Sequence, residues 1–218
     1  MDILMNTANI IFDNSYQLKS SFDLVESLSL AERKELLSLL NTSYPFWGLD
    51  KIFENYPSYE SLYILRLRVN KGILIGSRQI LIVKNYKLAP SWAKEIAKTL
   101  SVQYFAVSSR AIVHPNFRGQ GIGTKLVQKL NQKTFSEHNI EVILGSSTSL
   151  SAIVLYQRLG AKLWKGDINK INCSTTSKNN PSHIRMLTPI RYLYYKDNKN
   201  NTLNDDFKHY PQALNSKT

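Results

Sequence analysis

A single α/β layer sandwich whose early strands are antiparallel is the fold class the sequence predicts, on three observations. Apolar residues recur with helical spacing in some segments and in strand-like runs in others. Two runs rich in β-branched residues meet at Asn70-Lys71-Gly72, a turn tripeptide. A third apolar run then ends in closely spaced glycines and continues as an amphipathic helix.

Taken in order, Ser29-Leu30-Ala31-Glu32 has the form of a capping box, with Leu36, Leu37 and Leu40 following at helical spacing, so a helix is expected over 30–41. Tyr44-Pro45 stops it, and Phe46, Trp47, Leu49, Ile52 and Phe53 predict a second short helix. Leu62–Val69 and Ile73–Val83 form a hairpin. Ser91 is the expected cap of a helix over 92–100, and a strand follows over 103–113. A helix over 120–134 carries Ile122, Leu126, Val127 and Leu130 as its buried stripe. Ile140–Leu144 is a short buried strand, and 150–159 a helix that Gly160 ends. Weaker strands over 162–173 and 184–195 flank a polar loop, Ser174–Ser182, and 197–218 has the composition of a frayed tail. The order is β, α, α, β-hairpin, α, β, α, β, α, β, β, with no residues assigned to the first strand.

With 218 residues, 43% of them hydrophobic, the chain suits one globular domain. Cys173 is the lone cysteine, which excludes an intrachain disulfide framework and favours a reducing compartment. No run approaches the roughly 20 apolar residues of a membrane helix, so a soluble, cytoplasmic protein with no membrane partner is expected. The net charge of +12 attracts polyanions, whether nucleic acid, anionic lipid or a phosphate-rich cofactor, and equally suits a merely solubilising surface.

The segment Val113 to Thr124 carries the chemistry. A strand ends at Pro115, glycines stand at 119, 121 and 123, and a helix begins among them. Unpaired N–H groups and the helix dipole at such a start form an anion cradle, and glycine lets a diphosphate approach the backbone. The P-loop pattern fails because Thr124-Lys125 stands in the wrong order, and the dinucleotide fingerprint fails on glycine spacing.

Val-x-Pro-x-x-Arg-Gly-x-Gly-Ile-Gly, from Val113 to Gly123, closely resembles motif A of the GCN5-related N-acetyltransferase (GNAT) superfamily. Downstream, Ala152 to Ala161, with Tyr156 and Gly160, is similar to that family's Ala-x-x-x-Tyr-x-x-x-Gly-Phe element. The likeness is close over 102–164 and follows by element order over 61–101. It implies a single-domain, mixed, largely antiparallel sheet flanked by helices and splayed between its fourth and fifth strands. The domain would span 1–197: a helical acceptor-side region (1–60), a core with the CoA site (61–164) and C-terminal strands (165–197), with a flexible tail over 198–218.

The resemblance further implies a donor, acetyl-CoA or another acyl-CoA, and no metal. Its pantetheine would pair with the backbone of Ala111, Ile112 and Val113. Its pyrophosphate would rest on Gly119, Gln120, Gly121, Ile122, Gly123 and Thr124, with Arg118 as ligand or brace. Tyr156 matches the family's acid for the departing thiolate. Two departures stand out. Ser149 occupies a position that is commonly asparagine and contacts CoA, and Leu144 stands where some members carry a glutamate base.

His114 is a candidate base, Tyr104, Ser108 and Ser109 are candidate cleft residues, and Glu141 is expected to be solvated. Tyr44, Phe46, Trp47, Phe53 and Tyr56 precede the sheet, where the resemblance implies an acceptor pocket, and ordinary packing of two small helices accounts for them better. The leading reading is an N-acyltransferase acting on a small-molecule, peptide or protein amine. The alternatives are a longer acyl donor, aminoacyl-tRNA acetylation, a CoA-binding module without turnover, and a basic nucleic-acid-binding protein. A homodimer is compatible with each.

Overall fold

The computed structural model describes residues 18–43, 61–69, 72–164, 173–177 and 180–196, with two compact units meeting in sequence at Ser146/Ser147. The helix expected over 46–53, the aromatics Tyr44, Phe46, Trp47, Phe53 and Tyr56, and the tail lie outside the described residues.

The first unit is built on a sheet in which β1 (Lys19–Leu24), β2 (Leu62–Val69), β3 (Ile73–Ile82) and β4 (Phe105–Val113) pair antiparallel in chain order. Next to β4 lies β5 (Val142–Ser149), parallel to it. A parallel neighbour needs a crossover, and α3 (Ile122–Glu137) supplies it. Its stripe Ile122, Leu126, Val127 and Leu130 is buried as the sequence predicts. β3 is covered along nearly its whole length, which is why its residues form an almost unbroken buried run.

Helix α1 (Leu30–Asn41) starts where the capping box places it. Ser29 Oγ accepts from the Glu32 amide, and Glu32 accepts from the Ser29 amide at 2.9 Å. Glu32 also takes a hydrogen bond of 2.7 Å from Arg66 on β2, whose other Nη group holds Asp23 of β1 at 2.9 Å. The Arg66 guanidinium and the Ser29 donors hold the Glu32 carboxyl down from 4.5 to about 2. Arg68 and Glu35 make a second tie between β2 and α1 at 2.5 Å.

Several boundaries correct the sequence reading. Helix α2 (Ser91–Thr99) has Pro90 at its cap position with no side-chain cap, so Ser91 is its first residue and not its cap. Strand β5 runs on to Ser149, five residues beyond the expected end at Leu144, through a polar Ser/Thr stretch that has no apolar pattern. Tyr104 precedes β4.

In the second unit α4 (Leu150–Arg158) packs on β8 (Asn180–Tyr195), which pairs antiparallel with β6 (Lys162–Leu163) and β7 (Cys173–Ser177). Gly160, at φ +89°, follows the helix end as expected. The expected polar loop Ser174–Ser182 is mostly a β-hairpin, with Ser174↔Arg185 and Ser177↔Asn180 in register. Backbone pairing, not side-chain hydrophobicity, makes those residues strands.

Candidate active site

Past β4 the backbone turns through a short 3₁₀ segment, Pro115–Phe117, before reaching α3. Proline sets φ at its first position, Phe117 is buried beneath it, and the Arg118 amide closes it on Pro115 O at 3.2 Å. Gly119 and Gly121 then take φ +76° and +74°, the left-handed region that glycine enters without cost. A Cβ on either would have nothing within 4 Å, so the space over the loop is open. Gln120 braces the loop from the side by donating to Asn116 O at 3.2 Å.

Gly121 is the cap residue of α3, with no side-chain cap, and no acidic residue stands in the first turn. The first N–H groups of a helix have no acceptor within it. Those of Ile122, Gly123 and Thr124 therefore face an open space carrying the positive end of the helix dipole. Gly76 on β3 makes the placement possible: a Cβ there would lie 3.0 Å from Leu126 Cδ1 and 3.3 Å from Ile122 Cγ2.

β4 itself is irregular. Ser77↔Ile112 and Gln79↔Ser109 leave two residues of β4, Arg110 and Ala111, against one of β3, Arg78, a bulge. Arg110 has φ +48°, a conformation that costs a non-glycine residue roughly 1–2 kcal/mol. The parallel register with β5 runs from Phe105↔Val142 to Ser108↔Gly145 and ends just short of this bulge. The His114 amide donates to Ile75 O at 2.8 Å, so by alternation Val113 turns its N–H and C=O away from β3. Ile112 is buried, Val113 is half-buried and Ala111 is exposed.

Arg118 is a brace. Its Nε donates to Val113 O at 3.1 Å and its Nη2 to Ser43 Oγ at 2.8 Å, tying the loop to the end of β4 and to the turn after α1. His114 accepts the Asn116 amide on Nδ1 at 3.3 Å. Burial, then the charge of Arg118, pushes its pKa below the ordinary value, so the imidazole is neutral at pH 7. Leu144 is fully buried and offers no base. Ser108 is buried and accepts from Arg78 Nε at 2.8 Å, while Ser109 is half-buried. Glu141 is exposed and accepts from the amides of Gln103 and Tyr104, and Tyr104 is itself exposed.

In the second unit Ser149 caps α4: its Oγ accepts from the Ala152 amide at 3.4 Å and shares a hydrogen bond of 3.0 Å with Ser151. Tyr156 is buried on the face of α4 toward β8, with its ring 4.4 Å from that of Tyr192. Tyr194 Oη donates to Tyr156 O at 3.1 Å, fixing the helix end beneath it.

Residues 81–160 match the family model described as an acetyltransferase (GNAT) domain. Over these residues the chain is similar to a GNAT acetyltransferase domain. Its matched residues include the bulged strand, the glycine loop, α3 and α4 through Tyr156.

Solved structures share the fold of this chain at low identity. FeeM, an N-acyl amino acid synthase from uncultured soil microbes, superposes with a TM-score of 0.58 at 12% identity, over 85% of this chain and 93% of its own. Arabidopsis thaliana NAA60, solved with a bisubstrate analogue, gives 0.53 at 13%, over 81% and 98%. The ribosomal-protein-S18-alanine N-acetyltransferase from Escherichia coli gives 0.51 at 13%, over 81% and 94%. No curated protein matches the sequence.

Among the described residues no group of His, Cys, Asp and Glu is arranged to hold a metal ion, and no helix is long and apolar enough to cross a membrane. Sequence reasoning missed the bulge at Arg110 and the structural partners of Ser149. A positive φ at arginine has no compositional signal, whereas Ser149-x-x-Ala152 has the serine spacing of a helix cap and was legible in principle.

Proposed function

We propose that the protein is an acyl-CoA-dependent N-acyltransferase that moves an acetyl group from acetyl-CoA to a primary amine by direct attack in a ternary complex. The observation that carries this reading is the uncapped glycine start of α3 within the residues that match the GNAT domain. Gly119 to Thr124 present N–H groups for the pyrophosphate, with Gln120 and Arg118 holding the loop in shape. Beyond the loop, Ala111, Ile112 and Val113 offer the backbone along which the pantetheine would lie.

The amine nitrogen attacks the thioester carbonyl, the C–N bond forms and the C–S bond breaks. The Tyr156 hydroxyl gives the departing thiolate its proton and regains one from solvent, while the cationic nitrogen of the tetrahedral intermediate loses its proton to solvent to leave the amide. A neutral amine is required. With Leu144 in place of a carboxylate, desolvation of the amine or solvent carries the deprotonation, so turnover rises with pH toward the amine's own pKa, ~10.4 for a lysine-like group. Ser149 spends its hydroxyl on α4, which supports a smaller share for it in holding CoA than an asparagine has.

A second reading uses a longer acyl donor on the same loop and strand. Intact-mass detection of acylated products separates the two by the mass added. Tyr156→Phe keeps the ring against Tyr192 and removes the acid, and kcat is expected to fall roughly 10²-fold with KM little changed. Undiminished kcat would remove Tyr156 from the chemistry. Acyl-CoA binding without turnover of any amine would favour a silent binding module.

A further inference from the structure

On the face of the sheet that meets α1, three polar groups stand together in register. Arg66 on β2 lies opposite Ser77 on β3, and Gln79 is two residues along β3 on the same face. Arg66 is 5% exposed, and Ser77 and Gln79 are 1% exposed. Arg66 Nε, Ser77 Oγ and Gln79 Nε2 are each buried with no hydrogen-bond partner among the described residues. All three are donors, Ser77 being able to accept as well. Leaving one such group unsatisfied costs about 1–3 kcal/mol, so three side by side mark a place built for an oxygen ligand.

The neighbours fix how these donors are presented. Each Nη group of Arg66 is engaged by a carboxylate, Glu32 or Asp23, while its Nε stays unpartnered. Arg110 Nη1 donates to Gln79 Oε1 at 3.2 Å, which turns the amide so that Nε2 is its presented end. Arg110 also brings a positive charge to the row from the β4 bulge, where it is half-buried. Two guanidiniums thus balance the two carboxylates, and the three unpartnered donors call for an oxygen group with several lone pairs.

The position in the fold indicates what that anion belongs to. From Val113, beside the glycine loop, back to Ser109 β4 rises about 13 Å. A donor anchored by its pyrophosphate at the loop and laid along β4 brings its thioester end to the bulge. We infer that Arg66 Nε, Ser77 Oγ and Gln79 Nε2, oriented by Arg110, bind the carboxylate of the acceptor, making the acceptor a small amine that bears a carboxylate, such as a free amino acid. A carboxylate supplies enough lone pairs for all three donors, and a carboxamide presents an NH₂ to one of them. The inference rests on the acyltransferase reading for the identity of the second substrate.

The test uses the full chain with CoA present and measures calorimetric affinity for free amino acids and for the matching amino acid amides. The acid is expected to bind at least tenfold more tightly than its amide. Gln79→Met, which keeps the side-chain length and removes both polar atoms, is expected to cut that preference at least fivefold. Ser77→Ala, which perturbs packing least, cuts it by a smaller factor in the same direction. Equal affinity for acid and amide, whether from an ordered water filling the donors or from no acceptor binding there, overturns the inference. So does a preference that both variants leave intact. Titration of acetyl-CoA alone into the wild type stands apart from these arms: its failure strikes the acyltransferase reading, while acid and amide indistinguishable with acetyl-CoA still bound strikes the carboxylate site alone.

Discussion

The N-termini of α1 and α3 begin with the same orphan donors and treat them in opposite ways. At α1, Ser29 and Glu32 cap each other reciprocally, and Arg66 adds a charge that ties the first turn to β2. At α3 the cap residue is glycine, the first turn has no acid, and the space above the glycines is open. The first arrangement satisfies the helix end from within and serves stability. The second leaves it to be satisfied from outside, and the nearby Arg118 and Gln120 spend their donors on bracing the loop. A helix start that forgoes a cap worth about 1 kcal/mol, inside a braced loop within the residues that match a GNAT domain, has the properties of an anion site.

The contrast breaks most sharply with Gly121→Glu. A carboxylate over the open loop occupies and repels the phosphate position, and acetyl-CoA affinity is expected to fall at least 100-fold, about 2.7 kcal/mol, in a calorimetric titration. The left-handed φ adds a stability cost of roughly 1–2 kcal/mol, so a melt of the same sample separates lost binding from lost fold. Ser29→Ala is the mirror test: stability falls by about 1 kcal/mol in urea unfolding while acetyl-CoA affinity holds.

The smallest effect is in acid. Because folding depresses the Glu32 pKa from 4.5 to about 2, its contribution is fully present above about pH 4.5 and is lost as pH falls toward 2. Glu32→Gln is expected to be less stable than wild type at pH 7 and to lose less stability between pH 5 and 2. Identical acid limbs in both proteins would show that the carboxylate is not held as described.

What the sequence made legible follows the same division. The capping box, the stripe of α3 and the glycine loop each rest on local rules that a few residues state in full, and each stands where expected. β1 was not located because KSSFDL at a sheet edge carries little apolar alternation. The β7–β8 hairpin hid in a polar segment whose pairing depends on partners distant in chemistry from any strand pattern. At the site, Gly119 and Gly121 were readable, whereas the row Arg66, Ser77 and Gln79 appears only once β2 and β3 are in register. The bracing role of Arg118 depends on Ser43, 75 residues away in sequence.

The central claim is that the backbone of the glycine loop binds the donor's pyrophosphate. Amide chemical shifts of the ¹⁵N-labelled protein, followed during titration with acetyl-CoA and separately with acetyl-pantetheine, test it most directly. With acetyl-CoA the largest changes are expected at Gly119, Gly121, Ile122, Gly123 and Thr124, with the Ser29–Glu32 amides still, and acetyl-pantetheine should leave the loop amides nearly unmoved. Loop amides that stay still while acetyl-CoA binds elsewhere would contradict the claim.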